Sequence, residues 1–160
     1  MDINLRDYFK IDDSHSKIRG FLIVKDEDGN ILVKKENMIV KSGRKLILNA
    51  ISGGTELDLR TVRAKISEDA TLTNSEMTEM NNFCQDMDGN DSWAFTSKDV
   101  EVDTDELVLK YSFSVNGFNK NYNANSLGLF YGDTLFSRVV FNTIGLSSNR
   151  KVTFHYYIYF

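Results

Sequence analysis

Asn125-Ser126-Leu127-Gly128-Leu129-Phe130-Tyr131-Gly132-Asp133-Thr134-Leu135-Phe136-Ser137-Arg138-Val139-Val140-Phe141 is the stretch whose reading decides the fold. Gly132-Asp133 divides it into two apolar runs, each the length of a strand. After a loop from Asn142 to Arg150 a third run follows, Lys151-Val152-Thr153-Phe154-His155-Tyr156-Tyr157-Ile158-Tyr159-Phe160. β-Branched and aromatic residues suit a pleated, half-buried surface, so all three runs read as strands. In the last, Val152, Phe154, Tyr156, Ile158 and Phe160 share one face, and Thr153, His155, Tyr157 and Tyr159 the other, because side chains alternate across a strand. A strand apolar on one face and tyrosine-rich on the other is central in its sheet or sits at a subunit contact.

Further strands precede these. Leu109, Tyr111, Phe113 and Val115 continue an alternation begun at Leu107, and the acidic Asp99 to Glu106 before them is a connection or edge strand. Trp93-Ala94-Phe95 starts another strand, and the asparagine-rich Asn116 to Asn125 reads as a loop. Val62, Ala64 and Ile66 alternate with Thr61, Arg63 and Lys65, a one-sided strand with a basic outer face. Residues 17–25 and 31–40 form a hairpin around Asp26-Glu27-Asp28-Gly29-Asn30, whose Asp-Gly accepts the positive φ of a tight turn. Both faces of that hairpin carry apolar residues, so each face expects a neighbour.

Ser42 to Ile51 is the one clear helix. Ser42 is placed to cap it, Leu46/Ala50 and Ile47/Ile51 form an apolar stripe, and Gly53-Gly54 ends it. A second short helix is expected within Asn74 to Cys84, with Met77, Met80 and Cys84 on one side. About eight strands with so little helix predict an all-β protein, a β-sandwich with jelly-roll-like connections. Residues 1–16 read as an N-terminal arm and residues 17–160 as a single domain. The arm is polar, with Tyr8 and Phe9 adjacent, and is expected either to fray or to order against a neighbouring subunit.

The 160 residues carry a net charge of −4, one cysteine and no proline. The charge is uneven: residues 1–66 hold +3, residues 67–106 hold −11 and residues 107–160 hold +4. A general nucleic-acid binder needs a basic face, which this pattern does not supply, whereas head-to-tail contact between copies suits it. With Cys84 alone there is no internal disulfide and no four-ligand zinc set. The first residues lack the apolar core of a secretory signal, and no window reaches the length of a membrane span.

No catalytic constellation emerges. Asp86-Met87-Asp88-Gly89-Asn90-Asp91 clusters oxygen ligands, but its glycine is fourth and no glutamate follows at the place an EF-hand requires, so a solvated turn is expected and no metal. Cys84 and His155 have no local signature of a thiol dyad, and no nucleophile elbow, P-loop or dinucleotide fingerprint occurs. No cofactor and no enzyme activity is expected. The candidate contact residues are Tyr8 and Phe9 on the arm, Arg63 and Lys65 on the basic strand, and His155, Tyr157 and Tyr159 on the last strand.

Three passages resemble bacteriophage virion proteins, the β-domains of tails, baseplates and fibres. They are the hairpin followed by Glu36 to Asn49, the pair Ala124 to Phe130 and Leu135 to Phe141, and the alternating aromatics Phe154 to Phe160. Where such proteins usually carry a small-residue Gly-Thr-Gly stretch, Val62 to Ser67 is followed here by Glu68-Asp69. The resemblance implies a non-enzymatic structural component of a virion, assembled in the host cytoplasm. Its partners would be other copies of itself and other virion proteins, with no nucleic acid and no membrane. Trp93 and the asparagine-rich loop suggest the alternatives of a receptor- or host-surface glycan-binding module, or a capsid decoration protein.

Overall fold

The structure, a computed structural model, describes residues 18–84, 95–116 and 121–160. Eight strands occur among them: β1 Arg19–Asp26, β2 Ile31–Ile39, β3 Arg63–Ser67, β4 Phe95–Asp103, β5 Val108–Asn116, β6 Tyr122–Tyr131, β7 Thr134–Leu146 and β8 Lys151–Tyr159. The helix α1 spans Lys41–Ile51, and a single 3-10 turn covers Leu59–Thr61. The all-β expectation holds. The strands form one sheet in the order β3-β6-β7-β2-β1-β8-β5-β4, every pairing antiparallel.

The sheet is curled into a half-barrel, and β2 is where it turns. Its first part pairs with β1 from Ile31 to Asn37, and its last two residues pair with β7, Met38 with Arg138 and Ile39 with Ser137. The halves either side of this seam bury their inner faces against each other. Leu22, Phe113, Phe154 and Tyr156 from one half share a core with Ala64, Leu127, Leu129 and Phe136 from the other. A polar knot fastens the seam. Asn37 Nδ2 donates to Ser137 Oγ at 2.7 Å, Ser137 Oγ donates to the Met38 carbonyl at 2.8 Å, and the Tyr156 hydroxyl donates to Ser137 Oγ. Both lone pairs and the proton of Ser137 are thereby used, which allows a wholly buried hydroxyl without penalty.

Local chemistry accounts for the connections. At the β1–β2 turn Gly29 takes φ +81, and the Asp26 carboxylate accepts from the amides of Asp28 and Asn30. The β6–β7 turn is Gly132-Asp133 with Gly132 at φ +58, the position a type II′ hairpin turn gives to glycine. β7 runs through Asn142 and Thr143 to Leu146, where a loop was expected from Asn142. The asparagine-rich segment likewise contributes Tyr122–Asn125 to β6 and Asn116 to β5.

α1 lies on β7 by its first turn. Gly43 is its one buried residue, and a Cβ there would run into the Phe136 carbonyl oxygen. Ser42 is not the cap. Val40 occupies that position without a side-chain bond, and the Ser42 hydroxyl donates instead to the Leu135 carbonyl on β7. Gly53 at φ +82 ends the helix, with Gly53 N bonded to Ala50 O and Gly54 N to Asn49 O, the pair of bonds of a Schellman motif.

The expected helix within Asn74 to Cys84 does not form. Residues 68–83 instead make a loop whose ends meet, with the Glu68 amide bonded to Asn82 O and the Cys84 amide to Ile66 O. Met80 is buried with Val40, Phe130 and Leu135, against the bare backbone of Gly128. Arg138, from β7, is fully buried beneath this loop. Its Nη2 donates to Asp69 O at 2.8 Å, and its Nη1 donates to Thr71 O and to Thr73 Oγ1. Among the described residues no helix is long and apolar enough to cross a membrane.

Candidate functional site

β8 is central, flanked by β1 and β5. Val152, Phe154, Tyr156 and Ile158 are wholly inaccessible, so its apolar face is core. The other face is open. Register places its residues in rows, because directly paired residues of an antiparallel sheet point the same way. One row runs Glu36, Phe21, Tyr157, Lys110, Glu101, and the next runs Lys34, Ile23, His155, Ser112, Asp99. Each has an apolar or aromatic centre and charged ends. Phe21, Ile23, His155 and Tyr157 are half-buried, and Tyr159 is 40% exposed. The Tyr157 and Tyr159 rings stack with centroids 6.3 Å apart and planes 24° from parallel.

Beside Tyr157 lies a hollow of about 250 Å³ lined by Asp99, Glu101, Lys110, Ser112 and His155. Lys110 Nζ is 3.7 Å from Glu101 and 3.6 Å from Asp103. Ser112 Oγ and His155 Nδ1 are 3.0 Å apart. A hydroxyl on an imidazole is one part of a hydrolytic site, which also needs a group orienting the ring and amides aimed at an oxyanion. The amides along β5 and β8 face the neighbouring strands in their ladders and are not aimed into the hollow.

His155 has its pKa lowered, first by burial and then by the nearby Lys25 ammonium. Neutral imidazole is therefore favoured in the folded protein relative to the unfolded chain. Its contribution to stability is complete above the unfolded value of about 6.5 and is lost as pH falls from there through the lower folded value. Melting temperature is expected to drop modestly between pH 7.5 and pH 5. His155→Gln should flatten that slope, and an unchanged slope in the variant would contradict the assignment. Asp26, Asp69 and Asp103, all held below the usual carboxylate range by hydrogen bonds, act only in more acid solution.

The structure thus brings His155, Tyr157 and Tyr159 together and adds Phe21 and Ile23, whose part was signalled only by the two-sided hairpin. It does not bring Arg63 and Lys65 to them. Those lie on β3, the far edge of the sheet, where Lys65 Nζ sits 4.6 Å from the Phe130 ring centre and 4.8 Å from that of Phe83. Lys65 is engaged over aromatic faces within its own chain, which weakens it as a salt-bridge partner for another copy. Tyr8 and Phe9 lie outside the described residues, as do Trp93 and Asp86 to Asp91. Cys84 is buried with its thiol pushed up to about 12 by desolvation, an inert core residue and not half of a dyad with His155. No cluster of three or more metal-ligating side chains occurs among the described residues. Comparison with protein-family models, curated proteins and solved structures finds no match for the chain.

Proposed function

We propose that the protein is a non-enzymatic structural component of a phage particle, of its tail, baseplate, neck or fibre attachment, acting by oligomeric assembly. The virion assignment rests on the resemblance carried by the hairpin with Glu36 to Asn49, by Ala124 to Phe130 with Leu135 to Phe141, and by Phe154 to Phe160. The observation that carries assembly is the outer face of the central strand β8 and its neighbour β1, where Phe21, Ile23, His155 and Tyr157 are only half-buried and Tyr159 is exposed. Aromatic centres with charged rims are what subunit contacts use, since aromatics bury much area at little entropic cost. We read the curled sheet as a relative of the jelly-roll-like sandwich, its two halves standing for the two layers and sharing β2.

The test is self-association. Sedimentation of the purified protein is expected to show a concentration-dependent oligomer, and Tyr157→Glu should shift it to monomer while circular dichroism stays native. A parent protein that remains monomeric at all concentrations would remove the basis for assembly through this face. A second reading, a receptor- or glycan-binding module, is favoured by the stacked Tyr157–Tyr159 pair, because flat aromatic surfaces suit sugar faces. Titration of tyrosine fluorescence with host-surface glycans separates the two.

A further inference from the structure

A second surface is unlike the rest of the molecule. Between α1, the β2–β7 seam and the 68–83 loop runs a groove of about 960 Å³. Its apolar lining includes Met38, Ile47, Leu48, Ile51, Leu72 and Val140. Four of these are large hydrophobics left uncovered, Met38 at 41%, Leu48 at 64% and Ile51 and Leu72 at 79%. A contiguous exposed apolar patch marks an interaction site. It also explains why α1, with an apolar stripe, buries only Gly43: the helix turns that stripe partly toward the groove and only partly toward the core.

Four cations line the same groove, Arg19, Lys35, Arg44 and the buried Arg138, against one acid, Glu36. Arg44 stands in the first turn of α1, the end at which a cation is unfavourable to the helix dipole and an incoming carboxylate is favoured. The occupant that fits is therefore an apolar segment with a carboxylate to set near Arg44. Such a segment is attached at the groove itself. Ile18 and Arg19, the first described residues, both line it, and residues 1–17 precede them. That segment carries Ile3, Leu5, Tyr8, Phe9 and Ile11, with Arg6, Asp7 and Lys10 among them and Asp2, Asp12 and Asp13 flanking them. Asp12 to Lys17 supply six linking residues, with a reach of roughly 20 Å when extended. A tethered segment meets its site at an effective concentration in the millimolar range, so even weak contacts suffice.

We propose that the groove is the seat of the chain's own residues 3–11, with Leu5, Tyr8 and Phe9 on its apolar lining and Asp7 against Arg44. This surface meets the open face of β8 at Glu36 but is otherwise lined by different residues, and the inference stands whether or not that face assembles copies.

The test uses the full chain and trypsin, which can cut the arm after Arg6 and Lys10. Cleavage there is followed by mass spectrometry in the parent, in Leu48→Asp/Ile51→Asp and in Phe9→Asp. The first variant alters only exposed helix positions, and the second leaves every described residue untouched. Cleavage tracks the population of the open form, so both variants are expected to be cut about tenfold or more faster than the parent. The parent's rate should be the same at low and high protein concentration. Equal rates in parent and variants would overturn the proposal. Protection that rises with protein concentration would also overturn it, transferring the seat to the arm of a second copy. Phe9→Asp released but Leu48→Asp/Ile51→Asp still protected would overturn it in favour of a seat elsewhere on the chain.

Discussion

Phe154→Ala should destabilise the protein by about 3–5 kcal/mol, the range for removing a large aromatic from a closed core. Phe154 is wholly inaccessible, on the central strand, paired with Val24 on one side and Phe113 on the other. Its ring lies where the halves of the curled sheet meet, so neither half can collapse into the space without disturbing the other. For a domain of this size the loss corresponds to a fall in melting temperature of roughly 6–20 °C. Three positions along the same strand, Tyr157→Glu should change stability much less, because its side chain is only half-buried, on the outer face. The contrast is what matters. If Tyr157→Glu unfolds the monomer as badly as Phe154→Ala, the outer face is intramolecular core and the contact between copies must be sought elsewhere.

That contrast rests on a pattern legible in the residues themselves. Alternation from Val152 to Ile158, and from Leu109 to Val115, states which side chains are inside, because the side-chain period of a strand is two and a single buried face selects the register. Gly29 and Gly132 announce their turns by the positive φ they supply. What lay beyond local reading was long-range. Nothing around Met38 and Ile39 signals that β2 changes partners there and joins two halves into one sheet. The polar Asn142 and Thr143 conceal that β7 continues, since they occupy exposed positions of an otherwise buried strand. Met77, Met80 and Cys84 have helical spacing, yet Met80 and Cys84 are buried by a loop whose backbone closes onto β3, with Asn82 at φ 54. Tertiary contacts there outweigh a weak local preference. For the candidate site, the last strand supplied three residues from its own alternation. Phe21 and Ile23 could be joined to them only once the β1–β8 pairing was known.

Arg138 is the clearest case of a residue whose role its neighbours in sequence do not suggest, and its replacement should have an effect as large as that of Phe154. Within Leu135-Phe136-Ser137-Arg138-Val139-Val140 a charge looks like the solvent side of a strand. It is instead wholly inaccessible, and burial lowers its pKa while the Asp69 carboxylate raises it. The guanidinium is held chiefly by carbonyls. Nη2 is 2.8 Å from Asp69 O but 3.7 Å from Asp69 Oδ1, and Nη1 bonds to Thr71 O and Thr73 Oγ1. Asp69 has other partners of its own, accepting from the amides of Thr71 and Asn81. Arg138→Met therefore strands the buried Asp69 carbonyl and the part-buried Thr71 carbonyl, and leaves a nearly buried carboxylate without its cation. Breaking one side of a buried pair costs about 3–5 kcal/mol. Asp69→Asn should cost less, because the carbonyl contacts survive it. The damage should also be local before it is global: in Arg138→Met, hydrogen exchange at the amides of Thr71, Asn81 and Cys84 is expected to accelerate ahead of exchange in β8. A cost below about 1 kcal/mol would place Arg138 in the class of buried charges that well-packed apolar residues replace freely. Asp69→Asn proving the more damaging of the two would mean that the ion pair, and not the carbonyl cage, holds the 68–83 loop over the sheet.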